Sequence, residues 1–199
     1  MESNFFAMMS RLKYIERWAL MRSTRQENLC EHSLEVAMIA HALSVISNIR
    51  LGNNLNAEKA ALIGMYHDTS EIITGDMPTP VKYYSDELKE AFKEVEKIAD
   101  YSILNMLPDD IRPAYESIFF KEDDDKYLWK LVKAADKISA YIKCVEEENT
   151  GNTEFRSAKE TIKEAIDNSD LEEVKIFMQE FMPAYGKNLD ELNVVTRNS

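Results

Sequence analysis

Three histidines, His32, His41 and His67, are the only imidazoles in the chain. Asp68 follows His67 directly, and His32 lies on a separate apolar stretch upstream. Asp136 sits in a third one, Val132-Lys133-Ala134-Ala135-Asp136-Lys137-Ile138. A carboxylate beside a core-facing stripe is costly unless a cation or hydrogen-bond donors meet it. One metal ion bound by His32, His67, Asp68 and Asp136 would satisfy all four groups at once. Such mixed nitrogen and oxygen donors suit borderline to hard divalent ions such as Mn, Co, Fe, Ni or Zn. Each residue also has a plainer reading. A lone histidine on an apolar helix face is more often satisfied within the core, Asp136 can pair with Lys133 or Lys137, and His-Asp pairs arise by chance. The joint order of one His, then His-Asp, then Asp on three separately periodic segments favours the metal.

Other groups fit that chemistry less directly. His41 comes nine residues after His32, on the opposite face of a helix with 3.6 residues per turn, so it should not reach the same ion and a mononuclear site is expected. Cys30, two residues before His32, faces away for the same reason. It and Cys144 are read as free thiols of a reducing compartment. Glu71 stands three residues past Asp68. If the helix continues, it joins the ligands' side and can serve as general acid or base. Without such continuation it is a surface carboxylate.

The elements that position these groups read as helices. Among the 199 residues only five Gly and five Pro occur, and 45% are hydrophobic; Ala, Leu, Glu, Lys and Met keep their rotamer freedom in helices. Phe5, Met9, Leu12 and Ile15 predict a first helix. Asn28 predicts the start of a second, with Glu31 placed for a reciprocal cap bond, running to about Ser47. Asn56 caps a third, whose Ala57, Ala60, Ala61 and Gly64 permit close packing and whose end carries His67-Asp68. Turn residues from Thr74 to Pro80 exclude regular helix. Ser85 starts a long helix with Leu88, Phe92, Val95, Ala99, Ser102 and Met106 inward, ended by Pro108. After a charged loop from Lys121 to Lys126, a helix from Leu128 to Ile142 carries Asp136. Two more span Thr153 to Ala165 and Leu171 to Met182, and the last residues fray. Neither repeat nor linker divides the chain, so residues 1–199 form one all-α domain.

The net charge of −12 argues against a nucleic-acid or anionic-membrane partner, whose phosphates call for a basic footprint. No apolar run is expected to reach the length of a membrane span, no targeting signal opens the chain, and a cytoplasmic location is expected.

The sequence resembles the HD superfamily of metal-dependent phosphohydrolases, and within it the bacterial 5′-deoxynucleotidases. The resemblance is carried by Ser10-Arg11-Leu12-Lys13, Arg17-Trp18, Glu27-Asn28, Glu31-His32-Ser33 and Met65-Tyr66-His67-Asp68. Glu71, the stretch from Thr74-Gly75-Asp76 through Met77-Pro78-Thr79-Pro80-Val81-Lys82-Tyr83, Lys133-Ala134-Ala135-Asp136 and Tyr141-Ile142-Lys143-Cys144 extend it. It implies an HD-domain helical bundle, a homodimer, and one divalent ion drawn from Co, Mn, Fe, Ni, Zn and Cu. It further implies hydrolysis of deoxyribonucleoside 5′-monophosphates to deoxynucleoside and phosphate.

On that resemblance Glu71 is the acid–base group and Asp68 and Asp136 also touch the attacking water or the phosphate. Arg17, whose planar fork matches phosphate oxygens, clamps the substrate. Trp18 lies near the sugar and would crowd a 2′-hydroxyl. Asp76 accepts from the 3′-hydroxyl, while Met77, Pro78 and Thr79 complete the contact. Two alternatives stay open. One is an HD phosphohydrolase acting on a nucleoside triphosphate, cyclic dinucleotide or alarmone; extra phosphates would call for more cations than Arg17 and Lys82. The other is a non-catalytic nucleotide-binding module, which would be expected to have lost ligands. Phe177, Phe181 and Tyr185 are candidates for a dimer surface and equally for the core.

Overall fold

The computed structural model describes residues 2–82 and 84–192. Tyr83 and the expected frayed end after residue 192 lie outside them. The described residues form helices joined by short loops, with one isolated β-bridge between Glu16 and Asn28. The all-α expectation holds.

Helix α1 (Phe5–Met9) passes into a 3₁₀ turn, Ser10–Tyr14. The single helix expected through Ile15 stops early because Ile15 is extended (φ −97°, ψ 108°) and its carbonyl accepts from Leu29 N at 3.0 Å. Arg17 N donates to Glu27 O at 2.9 Å. These tertiary bonds outweigh the helical pattern, so Arg17 and Trp18 lie on a loop.

Helix α2 (Leu29–Arg50) starts at the predicted cap: Asn28 Oδ1 accepts from Cys30 N and Glu31 N at 3.0 and 3.1 Å. The carboxylate of Glu31, expected to close the reciprocal cap bond, instead accepts from Arg25 at 3.0 Å. With 22 residues and a mean hydropathy of 1.3 in its most apolar window, α2 is long and apolar enough to cross a membrane, against the expectation from the sequence. Its place in the fold supplies the reason: it is the central core helix, packed against α3 (Ala57–Tyr66) and α8 (Lys126–Asn149). Val36, Leu43, Ile63, Leu131, Ile138 and Ile142, all 1% exposed or less, fill that junction.

At the α2–α3 crossing a Cβ on Gly64 would lie 2.9 Å from Ala37 Cα and 3.1 Å from Ala37 N. Only glycine allows this approach, and three residues later it delivers His67 beside α2.

Two single turns follow, α4 (Glu71–Thr74) and α5 (Thr79–Lys82), separated at Gly75 with φ +73°. Helix α6 (Asp86–Leu104) begins where Ser85 Oγ accepts from Leu88 N. Its buried stripe is Phe92, Ala99, Ile103 and Leu104; Leu88, Val95 and Ser102, expected inside, are exposed. The chain leaves the helix at Asn105, ahead of Pro108. Helix α7 (Pro113–Phe119), absent from the sequence expectation, joins Phe5, Ile103 and Leu104 in a second apolar cluster. Helices α9 (Arg156–Asp167), α10 (Glu172–Glu180) and α11 (Leu189–Leu192) complete the described residues, with a 3₁₀ turn at Met182–Gly186. Phe177 is core, whereas Phe181 is 43% exposed and Tyr185 packs on the core margin.

Candidate metal centre and active site

Four chemical groups converge where α2, the end of α3 and α8 meet. His32, fully buried, projects from the first turn of α2. His67 closes α3, and its Nδ1 lies 2.8 Å from Gly64 O. That carbonyl accepts only, so Nδ1 carries a proton, and in the neutral imidazole it is Nε2 that presents a lone pair to the cluster. Asp68 Oδ2 lies 3.1 Å from His67 Nε2 and 3.6 Å from His32 Nε2. Ligand atoms of His32, His67 and Asp68 all fall within 4.8 Å of one another. Asp136 joins from α8, its Oδ1 3.1 Å from His32 Nε2. His41 is exposed on the other face of α2, as helical spacing requires.

The donor set fits a divalent ion. Both Nε2 atoms are buried without a hydrogen-bond partner, which is costly unless something electrophilic meets them. Two imidazoles and two carboxylates match the borderline-to-hard preference. The electrostatics point the same way. Burial opposes charge on His67, yet Asp68 and Asp136 push its pKa up to about 9. Burial likewise opposes charge on Asp68, and His67, His32 and Arg17 hold its carboxyl well below the usual range. Asp136 is lowered too, by the two histidines against burial. The cluster draws positive charge into a dry position.

Around His32 lies a second layer. Ser139 Oγ stands 3.0 Å from His32 Nδ1 and donates to Glu35 Oε2 at 2.6 Å. Ser139 therefore offers an acceptor for an Nδ1–H tautomer whose Nε2 faces the cluster. Arg17 Nη1 is also 2.6 Å from the same Nδ1 and 3.3 Å from Glu27 Oε1, a contact suited to the other tautomer. The Nη2 of Arg17 faces the cluster, 3.9 Å from Asp136 Oδ1.

Trp18 has φ +59°, a left-handed backbone that bulky residues rarely adopt. Three contacts hold it there: Trp18 N donates to Asp76 Oδ2 (3.3 Å), Trp18 Nε1 donates to Glu27 Oε2 (2.9 Å), and Phe155 packs edge-on at 5.3 Å. Asp76 is thereby brought to Trp18. Met77 and Pro78 are half-buried and Thr79 is exposed at the start of α5. These three stand outside the hydrogen-bonded network of Arg17, Trp18, Glu27 and His32 among the described residues. Lys82 pairs with Glu96 at 2.6 Å.

Glu71 is reached by a route other than the expected helix continuation. α3 ends at Tyr66, a turn covers residues 67–70, and Glu71 N donates to Asp68 O at 3.0 Å. Its carboxyl is buried with Oε2 unpartnered. Burial, then Asp68 and Asp76, push its pKa up to about 9.

Sequence reasoning assigned no role to Glu27, Glu35 or Ser139. Glu27 and Asn28 form a visible pair ahead of the helix, but the bonds to Arg17 and Trp18 depend on a loop closure that spacing does not encode. Ser139, three residues after Asp136, shares its face of α8 and could have been found that way.

The chain matches the family model of YfbR-like 5′-deoxynucleotidases over residues 4–185. A 5′-deoxynucleotidase of Erwinia tasmaniensis is 46% identical over 191 residues, 96% of each chain. One from Shewanella oneidensis is 44% identical, covering 96% of this chain and 98% of its own. Among solved structures, an HD-domain phosphohydrolase from Listeria innocua superposes with a TM-score of 0.79 at 26% identity, over 92% of this chain and 88% of the other. A cyanophage S-2L HD phosphohydrolase, solved with dA and one catalytic Zn²⁺, shares the fold at a TM-score of 0.61 and 21% identity, over 92% of this chain and 96% of the other. With both the ligand geometry and these likenesses in agreement, the chain belongs to the YfbR-like 5′-deoxynucleotidase family of HD phosphohydrolases.

Proposed function

We propose that the protein is a metal-dependent phosphomonoesterase that hydrolyses deoxyribonucleoside 5′-monophosphates to deoxynucleoside and phosphate. The observation that carries the reading is the convergence of His32, His67 and Asp68 within one ligand-sized space with Asp136 at its edge. Family membership and the curated relatives named 5′-deoxynucleotidase support the substrate class.

In this reading His32, His67, Asp68 and Asp136 hold one divalent ion, drawn from Co, Mn, Fe, Ni, Zn and Cu. Such an ion supplies polarisation of the phosphate and a water acidified towards neutral pH. Asp68 and Asp136 orient that water and the phosphate. Arg17 Nη2 meets a phosphate oxygen, because guanidinium N–H groups only donate and suit that geometry. Burial of Glu71, with Oε2 unpartnered, favours its protonated form, from which it passes a proton to the departing 5′-oxygen. Burying Glu71 beside acidic neighbours favours the acid role over the base role.

Trp18, fixed by Asp76, Glu27 and Phe155, forms the wall that a 2′-hydroxyl would strike. Asp76 accepts from the 3′-hydroxyl, with Met77, Pro78 and Thr79 alongside. Lys82, engaged by Glu96, leaves Arg17 as the cation facing the ligand cluster, which favours a monophosphate over a triphosphate. The protein functions as a homodimer. Leu34, Met38 and Ile49, 54%, 59% and 78% exposed along α2, support that reading, and light scattering in solution tests it.

The activity is tested by phosphate release after chelator treatment and reloading with Co, Mn, Mg or Zn. Release from dAMP, weak release from AMP and dATP, and none without metal are expected. Equal release from AMP and dAMP would overturn the sugar selectivity, and release from dATP alone would favour another HD substrate class.

A further inference from the structure

The loop carrying Trp18 is held by a buried ionic anchor outside the metal cluster. Glu147, 1% exposed, lies near the C-terminal end of α8, the helix that carries Asp136. Its carboxylate accepts from Thr24 N (2.8 Å), Thr24 Oγ1 (2.7 Å), Asn152 Nδ2 (2.7 Å) and Lys143 Nζ (2.5 Å), and from Arg25 N at 3.3 Å. Lys143, 5% exposed, also donates to Arg25 O at 2.5 Å, and Asn152 donates to Arg22 O at 2.7 Å. The same unit reaches the tryptophan: Lys143 Nζ sits 5.6 Å from the Phe155 ring centroid, and Phe155 meets Trp18 edge-on.

This arrangement is an inefficient way to add stability. Desolvating a carboxylate and an ammonium roughly cancels their attraction, and apolar residues of similar volume commonly do as well. What the carboxylate does supply is direction, since each of its bonds points to one backbone or side-chain donor. The bonds from the loop all arise within residues 22–25, between the strained Trp18 and Glu27, which in turn bonds Arg17 and Trp18. A left-handed tryptophan persists only where its surroundings over-determine it.

We propose that Glu147 is a positioning residue for the substrate side of the active site: it ties the loop of Trp18–Arg25 to α8 and so sets Trp18 and Arg17 relative to Asp136. The inference rests on the reading that Arg17 and Trp18 contact phosphate and sugar. It assigns no direct substrate contact to Glu147.

The test compares Glu147→Gln, Thr24→Val and Trp18→Ala with the parent protein. Each is measured for Co²⁺ affinity and for kcat and KM on dAMP and AMP; the parent, Glu147→Gln and Thr24→Val are also measured for Trp18 emission in a Trp129→Phe background that leaves Trp18 as the reporter. Because Glu147→Gln strands a buried Lys143, a Glu147→Gln/Lys143→Met pair carries the same test if the single variant fails to fold. The expected result is about tenfold higher KM for dAMP, a dAMP-over-AMP preference reduced by a similar factor, and red-shifted Trp18 emission. Co²⁺ affinity should be unchanged. Unchanged KM, preference and emission in the folded variants would overturn the proposal. Loss of Co²⁺ affinity in step with kcat would overturn it too, since that would mark general support of the fold. Trp18→Ala separates the two claims: if it leaves the preference intact, the sugar reading fails, while the emission of Glu147→Gln still reports whether the anchor holds the loop.

Discussion

The two halves of the proposed active site are built differently. The ligand side, His32, His67, Asp68 and Asp136, stands on or at the ends of three helices whose mutual packing is locked by apolar residues and by the Gly64–Ala37 approach. The proposed substrate side, Arg17, Trp18 and residues 76–78 with Thr79 at the start of a single helical turn, stands mainly on loops held by a few polar bonds to Glu27, Asp76 and Glu147. Helix packing places a side chain through many weak contacts, so losing one of them moves it little. A loop depends on a few directional bonds, and each is a separate point of failure. The first half suits an ion that must stay; the second suits a substrate that must enter and leave.

The largest expected effects strike the ligand side. Asp68→Asn and His67→Ala each remove one donor from the cluster and should lower kcat/KM by about 10³-fold or more, with loss of metal measured by elemental analysis. Glu71→Gln sharpens the comparison, because it lies beside the cluster without belonging to it. It should lower kcat by about 10²-fold to 10³-fold at unchanged metal content; a parallel loss of metal would make Glu71 a ligand instead. On the loop side, Trp18→Ala should leave metal content and kcat for dAMP nearly intact and reduce the dAMP-over-AMP preference about tenfold. An unchanged ratio would remove Trp18 from sugar selection.

Smaller effects concern the frame. Gly64→Ala drives a Cβ into the backbone of α2, which cannot yield as a side-chain tip does. Calorimetry should show a loss of about 1–3 kcal/mol, and a neutral result would mean that the helices separate freely. The cluster also predicts how the chelated protein responds to pH. His67 rises from 6.5 to about 9 on folding and Glu71 from 4.5 to about 9. Each binds its proton more tightly in the folded state, so each contribution is complete below its unfolded value and lost as pH rises through the folded one. The melting temperature of chelated protein should therefore begin to fall above about pH 4.5, as Glu71 requires, and fall most steeply between about pH 6.5 and 9, where both groups contribute. Added metal, which displaces the proton of His67, should flatten that slope.

How much of this was legible in the sequence follows the same division. His32, His67, Asp68 and Asp136 could be read because each rides on a strongly periodic segment, and the caps Asn28, Asn56 and Ser85 mark where three of the helices begin. The stripe of α6 was misplaced because its partners cover only part of it, leaving Val95 exposed. α7 was missed because seven residues carry too little periodicity to register. The break after Tyr14, the left-handed Trp18 and the burial of Glu27 and Glu147 are consequences of loop closure. They are fixed by bonds between residues 9 to more than 120 positions apart, which no local pattern records. Glu71 was assigned to the right neighbourhood for a mistaken reason, since a turn and not a continued helix carries it there.

The central claim is that one divalent ion, held by the helix-borne cluster, makes the protein a deoxynucleotide phosphomonoesterase. The most direct measurement titrates chelated protein with Co²⁺ while following visible absorption and phosphate release from dAMP together. Both signals should rise in parallel and saturate at one equivalent per chain, and neither should appear in the Asp68→Asn protein. Full activity before any metal is added, or a requirement for a second equivalent, would contradict it.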